Sequence, residues 1–205
     1  MGNSMKVKIC GITTAGEAGW LNEIGVDYAG FVLFFEKSKR NIGIDRAKKI
    51  LQVLDKSIIP VAVTVQPTLS QIREIEAAGF GILQLHGEIP EEDLAAIRIP
   101  IWKAFNGEEL LHLEKYESMD NVVGYVFDAA IPGSGKTFDW RLFQNLPKTD
   151  KQVMLAGGLR PDNVKDAIQM IGNRIDGVDT SSGVERDTGV GKDRQKLENF
   201  VKALR

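Results

Sequence analysis

Ile59-Pro60-Val61-Ala62-Val63-Thr64-Val65, then Leu69, Ile72 and Ile75 at helical spacing, then Gly79 and Ile82-Leu83-Gln84-Leu85: residues 59–85 read as strand, helix, strand. The first run is rich in β-branched side chains, which pack well on a pleated surface. Leu69, Ile72 and Ile75 share one helical face, with Ser70 and Glu74 on the polar one, and Gly79 is a plausible stop because glycine tolerates the left-handed turn that ends many helices. Two strands joined through a helix imply a parallel pair, since parallel strands need a crossover.

The same alternation extends in both directions. Strands are expected at Lys6 to Cys10, Tyr28 to Leu33, Ile59 to Val65, Ile82 to Leu85, Ile101 to Ala104, Val122 to Asp128, Val153 to Ala156 and Ile175 to Asp179. Further helices are expected at Ala47 to Leu54, Glu91 to Ile97, Glu108 to Tyr116, Asp162 to Ile171 and Arg194 to Leu204. Pro161 before the fourth of these and Gly172 after it have the usual order of start and stop signals. Eight repeats in 205 residues average about 26 residues each, with no Gly/Pro/Ser-rich linker to divide them. The count favours one domain of the (β/α)8 TIM-barrel class, at the short end of its range. Periodicity alone leaves an open, doubly wound parallel sheet as the alternative. Residues 1–5 are set aside as an N-terminal tail, because Met1-Gly2-Asn3-Ser4 before a second Met5 reads as a tag remnant or an alternative start; the barrel domain is expected over 6–205.

Composition narrows the function. With 26 basic and 28 acidic side chains and a formal charge of -2, no basic excess points to nucleic acid. Apolar runs such as Gly30 to Phe35 fall far short of the ~18 residues of a membrane helix, so no membrane partner is expected. The start lacks the apolar core of a signal peptide, and a cytoplasmic protein is expected. One cysteine, Cys10, and two histidines, His86 and His112, exclude an internal disulfide and leave little for a zinc site. No metal is expected.

In parallel α/β folds reacting groups gather at the carboxyl ends of strands. Standing there are Cys10-Gly11, the loop Lys37-Ser38-Lys39-Arg40, Gln84 with His86-Gly87, Lys103, Asp128, Gly157-Gly158 and Asp179 followed by Ser181-Ser182-Gly183. Cys10 on a strand reads either as a small buried hydrophobe or as a reactive thiol. Period-2 alternation puts Lys6 and Lys8 on its face, and a nearby cation would favour the thiolate. Asp128 ends the apolar run Val122 to Phe127, as a turn residue or as a functional carboxylate. Gly157-Gly158 and Ser181-Ser182-Gly183 follow the last two strands, where barrels commonly hold phosphate against exposed N–H groups. Gly133-Ser134-Gly135-Lys136-Thr137 looks like the end of a P-loop. That motif needs a glycine at position 130, which is Ala130, and Pro132 stands inside the loop; a loop over the barrel mouth is the better expectation.

Taken together, Lys8-Ile9-Cys10-Gly11-Ile12-Thr13, Gly30-Phe31-Val32, Lys37-Ser38 with Arg40, Gln84-Leu85-His86-Gly87, Gly135-Lys136-Thr137-Phe138-Asp139-Trp140, Leu155-Ala156-Gly157-Gly158-Leu159 and Gly177-Val178-Asp179 with Ser181 to Glu185 resemble, in order, the motifs of the phosphoribosylanthranilate isomerase family of tryptophan biosynthesis. The resemblance runs from about Lys6 to Arg205. It implies a barrel that needs no cofactor and takes a small phosphorylated substrate, as a monomer or homodimer. The reaction implied is an Amadori rearrangement of N-(5-phosphoribosyl)anthranilate by general acid-base catalysis.

By the same resemblance Cys10 is the general base and Asp128 the general acid, its pKa expected to be raised. Arg40 would bind the anthranilate carboxylate. Gly157, Gly158, Ser181, Ser182 and Gly183 would bind phosphate, and Gln84, His86 and Asp179 would line the pocket. Thr14, Glu36, Lys39, Gln66 and the Gly189 to Asp193 stretch depart from the family pattern. Two rivals use a similar barrel: the histidine-pathway aminoaldose isomerase, which typically has an Asp where Cys10 stands, and a noncatalytic phosphate-ligand binding module, which would need neither Cys10 nor Asp128.

Overall fold

A computed structural model describes residues 4–106, 113–128, 148–188 and 190–205. Eight parallel strands close into one barrel in sequence order, β1 to β8, the last pairing with the first. They are β1 (Lys6–Cys10), β2 (Tyr28–Val32), β3 (Ile59–Val65), β4 (Ile82–His86), β5 (Ile101–Asn106), β6 (Val122–Asp128), β7 (Gln152–Ala156) and β8 (Gly177–Thr180). The described helices are α1 (Ala15–Ile24), α2 (Ile44–Leu51), α3 (Leu69–Ala78), α4 (Glu91–Ala96), α5 (Leu113–Glu117), α6 (Val164–Ile171) and α7 (Arg194–Leu204). The closed barrel, and not the open sheet, is the architecture.

Strand parity sorts the apolar residues into two layers. Tyr28, Val32, Val61, Val63, Ile82, Trp102, Ala104, Val126, Met154 and Ala156 fill the barrel interior. Ile9, Phe31, Ala62, Leu83, Leu85, Phe105, Phe127, Leu155 and Val178 pack outward beneath the helices. Inside, the Trp102 ring lies edge-on to Tyr28 at 4.7 Å between centroids, a favoured aromatic geometry. Met5, one residue before β1, also packs against the outer layer.

Helix α1 is absent from the sequence expectations. Gly16 and Gly19 interrupt its pattern, and glycine is a poor helix former. Its signal was the start: Thr14 and Glu17 form a reciprocal capping box, and Gly25 closes the helix with φ of 74°. Helix α3 has the same device in Thr68 and Gln71, ending at Gly79 with φ of 90°. Helix α2 starts three residues earlier than expected, because Ile44 joins Ala47 and Ile50 on the packed face. Strand β8 starts later than the expected Ile175 and runs to Thr180. Of the helix expected at Glu108 to Tyr116, residues 108–112 lie outside the described residues, as do the Gly133 to Thr137 loop and its expected place over the mouth. Among the described residues, no helix is long and apolar enough to cross a membrane.

Candidate active site

The strand ends converge on a cavity of about 380 Å³ at the carboxyl-terminal mouth. Cys10, Arg40, Gln84, His86, Asp128, Gly157, Gly158, Asp179, Ser181 and Ser182 all line it. Ten of the eleven expected site residues therefore share one space. Gly183 is the exception. It sits in the 3-10 turn Ser182–Val184, where an added Cβ would lie 1.9 Å from the Leu159 carbonyl oxygen. It lets the two glycine loops touch, and it is not among the residues that line the cavity. Lys103 also departs from expectation: with Trp102 and Ala104 turned inward, its side chain points out, bonded to the Ala104 carbonyl and set over the Phe105 and Tyr116 rings.

The two last loops are built to present backbone. Gly157 and Gly158 have φ of 91° and 65°, a region glycine enters without steric cost. The Asn163 side-chain amide donates to the Gly158 carbonyl at 3.0 Å, and the Thr180 hydroxyl to the Leu159 carbonyl at 2.7 Å. The Ser181 hydroxyl donates to the Cys10 carbonyl at 2.9 Å, tying the loop after β8 to the end of β1.

Under the mouth lies an ion pair no motif announced in full. Lys8 on β1 and Asp179 on β8 are register partners across the closing seam, and Lys8 Nζ donates to Asp179 Oδ2 at 2.7 Å. Both are buried. Burial works against the Lys8 charge, but the Asp179 carboxylate and the Cys10 sulfur outweigh it and push the lysine up. Burial also pushes the Asp179 carboxyl up against the pull of Lys8. The short contact to a lysine that keeps its charge makes the pair ionic. Asp179 Oδ1 and Gln84 Oε1 are buried without a hydrogen-bond partner, and such atoms carry a desolvation cost that a bound polar group would relieve.

Cys10 is half-buried, with two opposed influences on its thiol. Burial pushes the thiol up; the cation is there, since Lys8 pulls the pKa down, yet burial outweighs it. His86 bonds through Nε2 to the Gln84 side-chain amide at 3.0 Å. Burial, reinforced by the cations of Lys8 and Lys103, holds its pKa down at about 4. It is neutral near pH 7.

That depression has a thermodynamic consequence. Below its ordinary value of 6.5 the unfolded chain protonates His86, while the folded one resists until about pH 4. Stability from His86 is complete above pH 6.5 and is lost progressively between 6.5 and 4, by about 2 to 3 kcal/mol. Urea unfolding of wild type and His86→Gln at pH 7 and pH 4.5 reads it: the wild type should lose more stability between the two pH values. Equal losses would show that His86 does not resist protonation in the fold.

Arg40 reaches the cavity from the loop after β2. Its Nε and Nη2 donate to the two carboxylate oxygens of Glu185, leaving the Nη1 edge for a second carboxylate. Lys39 adds a 2.9 Å contact to Glu185, and Lys192 a 3.4 Å one. With burial opposed by these cations, Glu185 is pulled down to about 2. Sequence reasoning missed the depth of this network. Lys192 is fully buried, its N–H donates to Glu17 at 2.6 Å, and its Nζ donates to the Ser181 carbonyl at 3.0 Å. The departures from the family pattern have local roles here: Thr14 caps α1, Lys39 pairs with Glu185, and Lys192 fixes Ser181. Gln66 adopts φ of 45°, a left-handed conformation that is uncommon for a residue with a side chain. Among the described residues, no group of three or more His, Cys, Asp or Glu could hold a metal ion.

Comparison with known proteins follows the same outline. Residues 7–203 match the family described as N-(5'-phosphoribosyl)anthranilate (PRA) isomerase. The N-(5'-phosphoribosyl)anthranilate isomerase of Streptococcus gordonii is 35% identical over 202 residues, covering 98% of this chain and 97% of the relative. The crystal structure of phosphoribosyl anthranilate isomerase from Thermotoga maritima superposes with a TM-score of 0.85 at 35% identity, covering 98% of each chain. A phosphoribosyl anthranilate isomerase solved in complex with reduced 1-(o-carboxyphenylamino)-1-deoxyribulose 5-phosphate superposes with a TM-score of 0.82 at 33% identity, again over 98% of each chain.

Proposed function

The chain belongs to the N-(5'-phosphoribosyl)anthranilate isomerase family, and on that premise we propose that its reaction runs between Cys10 and Asp128. Its activity is the isomerisation of N-(5'-phosphoribosyl)anthranilate in tryptophan biosynthesis. The observation that carries the residue assignment is the shared cavity, with a thiol and a carboxyl in one space beside two glycine loops and an arginine.

The steps follow from the groups. Asp128, as a carboxylic acid, gives a proton to the furanose ring oxygen; the ring C–O bond breaks as the anilino nitrogen donates its pair, leaving a Schiff base. Cys10, as a thiolate, takes the proton from the adjacent sugar carbon and gives an enolamine. Gain of a proton at the anomeric carbon and its loss from the enol hydroxyl yield the aminoketose, so the proton count closes without a redox step or cofactor. Each proton transfer by a positioned group is worth roughly 10² to 10⁴ in rate. The loops at Gly157, Gly158, Ser181, Ser182 and Gly183 hold the phosphate. Arg40 holds the anthranilate carboxylate on the edge that Glu185 leaves, a geometry suited to a planar guanidinium. Asp179 Oδ1 and Gln84 Oε1, acceptors without a partner in the protein, take hydrogen bonds from the sugar hydroxyls, with neutral His86 beside them. The unpaired thiol also suits a reducing, cytoplasmic setting.

Cys10 is the sole cysteine, so its alkylation reads the pocket directly. The expected result is that iodoacetamide modifies it more slowly when the reduced product analogue is bound. Equal rates with and without ligand would place Cys10 outside the substrate pocket.

A further inference from the structure

We propose that Lys8 is the positioning residue for the base: its ammonium, held by Asp179 beneath the mouth, stabilises the Cys10 thiolate. The inference deepens the reading of Cys10 as the base and rests on it. Its geometric root is Gly30, the register partner of Cys10 on β2. A Cβ built on Gly30 would meet Cys10 Sγ at 3.0 Å and Lys8 Nζ at 3.1 Å, so both atoms converge on the space that the missing side chain leaves. Lys8 is 0% exposed, and no solvent dilutes its charge at that point. An ammonium this deep needs a counter-ion, and Asp179 supplies it across the β1–β8 seam at 2.7 Å. The carboxylate thus keeps Lys8 charged and fixes its direction, while Lys8 faces the sulfur.

The charged groups acting on Cys10 come from four places. Lys8 lowers its pKa most, Asp179 raises it less, and Lys192 and Arg40 lower it further. Lys192 and Arg40 are already committed to Glu185, whereas Lys8 Nζ and the sulfur converge on the same space beside Gly30. Removing Lys8 should therefore raise the thiol's titration midpoint more than removing any other cation. Removing Lys8 and Asp179 together should raise it by less, because the carboxylate's opposing effect is lost as well.

The test is the pH dependence of Cys10 alkylation by iodoacetamide in the ligand-free protein, which reads the thiolate without any catalysis. In Lys8→Met the midpoint should rise by about one unit or more, seen as at least about tenfold slower alkylation at pH values below both midpoints. Lys8→Met leaves Asp179 buried and unpaired and can fail to fold, so Lys8→Met/Asp179→Asn, which replaces the ion pair by neutral groups of similar size, is measured beside it. Its midpoint should lie between wild type and Lys8→Met. Turnover of the folded variant should lose kcat rather than gain KM, and recover as pH rises. A midpoint in the double variant at or below that of wild type would overturn the proposal. Failure of the Cys10 assignment is separable, since Cys10→Ala would then keep its turnover while the alkylation midpoints still shift.

Discussion

Cys10→Ala is expected to lower turnover of N-(5'-phosphoribosyl)anthranilate by roughly 10² or more, with KM changed little. A base that acts only on the proton leaving the sugar carbon contributes to the transition state and not to ground-state binding, so the loss falls on kcat. Folding should survive, because Cys10 is half-buried at a strand end and a thiol-to-methyl truncation there removes little packing. Asp128→Asn, at the end of β6 on the same cavity, should lose turnover on the same scale by leaving the ring oxygen without its proton donor. Steady-state kinetics on the three proteins check both, and undiminished turnover in both variants would remove Cys10 and Asp128 from the mechanism.

Gly183→Ala is expected to damage binding instead. The new methyl carbon would sit 1.9 Å from the Leu159 oxygen and 2.9 Å from Arg160 Cγ, and the first is backbone that has no rotamer to yield. Either the Ser181 to Gly183 turn or the Gly157-Gly158 loop must move, at a cost of about 1 to 3 kcal/mol in stability. On the proposed role of these loops, movement of either takes N–H donors away from the phosphate. Charge-assisted hydrogen bonds contribute about 1.5 to 3 kcal/mol each, so losing one should raise KM by about 10- to 100-fold. Steady-state kinetics and a thermal melt read the two effects separately. Unchanged KM alongside a lowered melting temperature would mean that Gly183 serves packing and that these loops do not carry the phosphate.

Much of the barrel was legible because strand and helix periods differ and the strands are short and apolar. Ile59 to Val65 and Val122 to Asp128 read correctly from pattern alone. Helix α1 did not, since two glycines hid its apolar face and only the Thr14 and Glu17 cap marked it. Lys103 was misplaced for a reason of parity: a strand end holds two kinds of residue, and only the one that shares a face with Trp102 and Ala104 can look into the mouth. The remaining gaps are long-range. Glu17 and Lys192 lie 175 positions apart and meet only when the barrel closes, as do Lys8 and Asp179. No local pattern encodes such a contact. The Cys10 thiol shows the same limit, because alternation revealed its cation but not the burial that opposes it.

The division of labour between Asp128 and Cys10 is tested most directly by the kinetic isotope effect of substrate carrying deuterium on the sugar carbon next to the anomeric one. With the base removed, abstraction of that proton limits the residual rate, so Cys10→Ala should show a primary isotope effect. With the acid removed, ring opening limits it, and Asp128→Asn should show an effect near unity. A primary effect in Asp128→Asn with none in Cys10→Ala would contradict the assignment.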